Sequence, residues 1–155
     1  MVKGIVFIAV FLTGIFCSSV TKAQNASSLR HHQLGIRISS QDAAVNQSIS
    51  YKYFFNPSLA FEGLFSFGDP VAIGALLEKH TPFGSSPGLT YYYGGAAYVA
   101  FGGLRTFGLQ AVGGLDYTFS SVPVNLSVDW KPEINITKEF DFEPAAVGLS
   151  VRFVF

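Results

Sequence analysis

The sequence predicts an all-β chain: an eight-stranded antiparallel up-and-down transmembrane β-barrel preceded by a cleaved signal peptide. Three observations carry that expectation. Apolar and small or polar residues alternate with period two in eight successive segments, so each has one greasy face and one that is not. Aromatic residues are 15% of the chain against 13% charged, yet no apolar run after residue 23 is long enough for a membrane helix. The segment Ala145–Phe155 alternates to its last residue. Val147, Leu149, Val151, Phe153 and Phe155 are apolar, and Ala146, Gly148, Ser150 and Arg152 between them are small or polar. Terminal residues usually fray in water. A strand with lipid on one face and a barrel interior on the other is held along its length.

Met1–Ala23 has the layout of a signal peptide. Lys3 supplies the positive start, Ile5–Phe16 the apolar core, and Thr21-Lys22-Ala23 a cleavage site before Gln24. Cys17, the single cysteine, lies inside it. Removal of 23 of the 155 residues leaves 132, with 8 basic and 10 acidic side chains. An exported chain without disulfides needs another restraint, and closure of a sheet supplies one. The charge balance gives no footprint for nucleic acid. Residues 24–33 read as a flexible leader, and residues 34–155 as the barrel. His31-His32 has no third ligand at metal-site spacing, so no metal and no cofactor are expected.

The eight segments follow in order. The first is Leu34–Ser40, with Leu34, Ile36 and Ile38 on one face. The second is Val45–Phe55, with Ile49, Tyr51, Tyr53 and Phe55 opposed by Ser48, Ser50 and Lys52. Asn56-Pro57-Ser58 turns the chain, Pro fixing φ where no donor is needed. Leu59–Phe67 follows, then a turn at Gly68-Asp69-Pro70, then Val71–His80, where Leu76 breaks the alternation. Thr81–Gly88, with two Pro, two Gly and two Ser, is a loop. Leu89–Phe101 and Phe107–Phe119 are the fifth and sixth segments. Val122–Ile136 is the seventh and has the cleanest pattern, with Pro132 bending or ending its ladder. Lys138–Glu143 reads as a charged loop before the eighth.

Two distributions carry the membrane expectation. Tyr51, Tyr53, Phe55, Phe61, Tyr91, Tyr93, Tyr117 and Phe119 lie on apolar faces near one set of turns, with Phe155. Phe65, Phe67, Phe101 and Phe107 lie near the other set. Two aromatic belts at two interfaces are the expected arrangement. Arg37, Lys52, Glu62, Glu78, Asp116, Asp129, Lys131, Glu133 and Arg152 all fall on the opposite face. An eight-stranded barrel leaves an interior only wide enough for side chains. A near-balanced set of charges there forms a polar network that plugs it.

With signal, aromatic-rich hairpins, the stretch Val122–Pro132 (V-P-V-N-L-S-V-D-W-K-P) and the ending G-L-S-V-R-F-V-F in place, the chain resembles the small eight-stranded outer-membrane β-barrels of Gram-negative bacteria. The resemblance covers essentially the whole chain after the signal. It implies a bacterial outer-membrane location with both termini periplasmic. Its partners would be membrane lipid, periplasmic chaperones and the barrel-insertion machinery, with Phe153 and Phe155 as the insertion signal. Members serve as structural proteins, adhesins, channels or lipid-modifying enzymes, so fold does not fix function.

Hydrolytic chemistry would need a His beside Ser or Thr and an acid to orient it. After the leader the sole His is His80, with Glu78 on its face and no Ser at matching spacing. The expected role is therefore non-enzymatic, structural or surface-interaction, in a monomer. Two alternatives stay open: a narrow porin-like channel, and a soluble periplasmic barrel with its apolar faces turned inward around an apolar ligand.

Overall fold

The computed structural model describes residues 31–40, 45, 47–102, 104–136, 141–143 and 146–155, with backbone alone at 104 and 141–143. The expected signal peptide and leader residues 24–30 lie outside them. Ten strands follow in chain order: β1 (His32–Ser39), β2 (Gln47–Asn56), β3 (Leu59–Ser66), β4 (Val71–Pro82), β5 (Leu89–Gly102), β6 (Leu104–Thr118), β7 (Val124–Trp130), β8 (Glu133–Asn135), β9 (Asp141–Glu143) and β10 (Val147–Val154).

Each strand from β1 to β6 pairs antiparallel with the next, β6 pairs with β7, β7 with β10, and β10 with β1. The sheet thus closes on itself as an eight-strand up-and-down barrel. Closure removes the free edge that an open sheet presents. The seventh stave is β7 followed by β8, and the eighth is β9 followed by β10. There is no helix among the described residues.

The element limits differ from the alternation pattern where backbone chemistry outweighs it. β1 starts at His32, so two residues read as leader are in the wall. His32 pairs with Tyr53, and its N–H and carbonyl exchange hydrogen bonds of 3.2 and 2.9 Å with Phe155. The seventh segment is two strands, because Pro132 has no N–H to donate. The ladder resumes through Ala111 N–H to the Pro132 carbonyl, 3.1 Å, and Gln110 paired with Glu133. Within the stretch read as a charged loop, Asp141–Glu143 is a strand paired with β8.

Connections alternate between two ends. One end carries the turns after β2, β4 and β6 together with Phe155, and is called here the C-terminal end. There Asn56 Oδ1 accepts hydrogen bonds from Ser58 N–H and Oγ, both 2.9 Å, closing the β2–β3 turn. Gly88 in the next connection has φ +84°, and a Cβ there would strike the Thr118 carbonyl, so this position requires glycine.

Candidate functional site

Alternation on a closed sheet sends every second side chain into one enclosed space. All nine ionic residues singled out from the sequence point into it, none more than 7% exposed. The opposite phase faces out: Ile36, Leu126, Trp130, Leu149 and Phe153 are all exposed. Of the belt residues, Tyr51, Phe55, Tyr91, Tyr93 and Tyr117 are exposed toward the C-terminal end, with Phe153 and Phe155, while Tyr53 and Phe119 are half-buried. Phe65, Phe67, Phe101 and Phe107 are exposed toward the other end.

The ionic groups form two connected sets. In the first, Arg152 on β10 reaches Glu62 on β3, Nη2 to Oε1 2.5 Å, while its Nε and Nη1 donate to Ser50 and Ser127 at 2.6 Å. Lys52 on β2 lies among three carboxylates. Its Nζ is 2.8 Å from Glu78 Oε2, 3.6 Å from Glu62 Oε2 and 3.8 Å from Asp116 Oδ1. Asn125 Nδ2 donates to the other Asp116 oxygen at 2.8 Å. In the second set, both terminal nitrogens of Arg37 donate to the two oxygens of Asp129, each 2.5 Å, and Tyr92 Oη donates to Asp129 at 2.8 Å. The planar guanidinium fits a carboxylate in this two-pronged way and a lysine does not. Lys52 Nζ sits 4.7 Å from the centre of the Tyr92 ring, linking the sets.

Gln110 donates to Glu133 Oε2 at 2.7 Å. Lys131 is buried, and its Nζ has no hydrogen-bond partner among the described residues. His80 holds Nε2 3.0 Å from Glu78 Oε2 and stacks on Tyr92, with Thr90 Oγ1 3.4 Å from Nδ1. His31 Nδ1 donates to the Phe54 carbonyl at 2.7 Å, and the His32 ring stacks on Phe155.

The interior is not polar throughout. Leu64, Ala72, Leu76, Tyr98, Ala100 and Val112 pack with Val45 and Tyr92 in one apolar cluster, which meets the ionic groups at Tyr92 and at Leu76, the register partner of Glu62. Leu76 is thus no lapse in the pattern: it is an inward residue of this cluster. Small neighbours make room for large inward side chains. A Cβ on Gly148 would collide with the Arg37 guanidinium, and one on Gly108 with the Tyr98 ring. Comparison with protein-family models, curated proteins and solved structures finds no match to this chain, so geometry alone bears on function.

Proposed function

We propose that this chain is an integral outer-membrane β-barrel of a Gram-negative bacterium, monomeric, with a plugged interior and a structural or surface-interaction role. One observation carries the reading: the inversion of polarity. Among the described residues the outward face is a girdle of aliphatic and aromatic side chains, and the nine ionic residues named above lie at the centre. In water such a face is an aggregation liability far beyond a few hundred Å². In a bilayer it is the solvated face. Both chain ends then lie on the periplasmic side, and membrane lipid is the principal partner.

The plugged reading is favoured over a channel by what occupies the lumen. Lys52 and Asp116 approach from opposite walls, Arg152 and Glu62 join staves three apart, and the buried apolar cluster packs inside the same wall. An ion would have to break these contacts to pass. The test is electrophoresis of the outer-membrane fraction with and without boiling, together with planar-bilayer recording. Faster migration of the unboiled band and the absence of discrete conductance steps are expected. Identical migration would overturn closure in a membrane, and steady unitary currents would overturn the plug.

A further inference from the structure

Among the strand residues whose side chains are described, the charged ones that point outward are Lys79 and Arg105. Both are cationic, both are exposed, and neither makes an ion pair with a described residue. They lie at opposite ends of the apolar face. Lys79 is next to the C-terminal end, paired with Leu59 and Tyr93, and the following residue donates its N–H to the Ser58 carbonyl in the β2–β3 turn. Arg105 sits just after the β5–β6 turn, paired with Phe101, which in turn pairs with Val71. Asp69, in the β3–β4 turn, lies at that same end, its Oδ1 3.9 Å from where a Cβ on Gly102 would sit.

Lys79 is eight residue steps along β4 from Val71. That is about 26 Å along a strand, or ~20 Å along the axis of a barrel with strands tilted ~40°. The pair stands toward the two ends of the outward face, at a spacing comparable with the ~25 Å apolar band of a membrane barrel. A long cationic side chain at such a border lays its stem on apolar surface and extends its head to the phosphate layer. We infer that Lys79 and Arg105, with the neighbouring Tyr93 and Phe101 rings, are contacts for lipid headgroup phosphate, one at each border, and fix the depth of the barrel. This inference rests on the bilayer reading.

The test uses the full chain, the double variant Lys79→Gln/Arg105→Gln and the charge reversal Lys79→Glu. Insertion into neutral phosphatidylcholine vesicles, read as the heat-modifiable fraction, is expected to be the same for all three. Retained phosphatidylglycerol, read by native mass spectrometry from mixed micelles, is expected to fall several-fold in the double variant. Lys79→Glu should insert several-fold less into phosphatidylglycerol-rich vesicles than the parent chain. Inorganic phosphate at millimolar concentration should leave retention unchanged, and competition by it would overturn a lipid contact in favour of a free-ion site. Equal retention by parent and variant, with both inserting, would overturn this inference alone. Failure of every form to insert into neutral vesicles would overturn the bilayer reading and this inference with it.

Discussion

Lys52 and Asp116 belong to strands four staves apart in an eight-stave wall, yet Nζ and Oδ1 are 3.8 Å apart. The barrel is therefore bridged across its diameter by an ammonium that also faces Glu62 and Glu78. Removing that cation leaves three carboxylates facing one another, of which Glu62 keeps its pairing with Arg152. Lys52→Met is expected to destabilise by about 3–5 kcal/mol, the cost of breaking a buried pair from one side. The readout is the urea midpoint in detergent micelles. Adding Glu78→Gln to Lys52→Met should recover part of the loss, and no recovery would refute the pairing.

Arg37 and Asp129 share two hydrogen bonds between staves that are not direct neighbours. A double-mutant cycle with Arg37→Met and Asp129→Asn should give a coupling energy of about 1–3 kcal/mol. Arg37→Lys should keep the charge and lose much of the coupling, since an ammonium is a single-point donor. Additive single effects would show the contact to be energetically idle.

Gly148 leaves the space that the Arg37 guanidinium fills. Gly148→Ala is expected to push that group aside and cost about 1–3 kcal/mol. Gly84 has no heavy atom within 4 Å of a Cβ built on it. Its φ of +62° is a left-handed conformation, so Gly84→Ala should cost only about 1 kcal/mol of backbone strain. Equal effects at the two sites on urea midpoints would contradict the packing described for Arg37.

The inward phase of the ionic residues was legible because period two assigns a face to every residue once one face is known. Which ions meet was not legible. Lys52 and Asp116 are paired by closure and stagger of the sheet, and neither leaves a local mark on the chain. The apolar interior cluster was hidden for a related reason. Leu76 is apolar at an inward position, so alternation alone sets it down as an exception, and nothing in the pattern ties it to Leu64. Pro132 announced a break in the seventh segment, but β8 and β9 are three residues each, too short for a periodic signal to emerge.

Trp130 is exposed on the outer wall directly across from Val147 and Gly113. On transfer from detergent-free urea into vesicles its emission should shift to the blue, as an indole leaving water does. Lipids brominated on their acyl chains should quench it. A red-shifted, unquenched signal would place that face in water.

Ile36 sits mid-strand on β1, 60% exposed, level in register with Ile49 and Val151. Ile36→Arg is expected to cost about 2–4 kcal/mol in a bilayer, whereas an exposed position in water tolerates it within ~0.5 kcal/mol. The most direct measurement is a nitroxide attached at Ile36→Cys in a Cys17→Ser background, in lipid vesicles. Collisional broadening by dissolved oxygen, which concentrates in acyl chains, should exceed that by a water-soluble nickel chelate. Stronger broadening by the chelate would mean that the greasy face meets water, and the account would be wrong at its root.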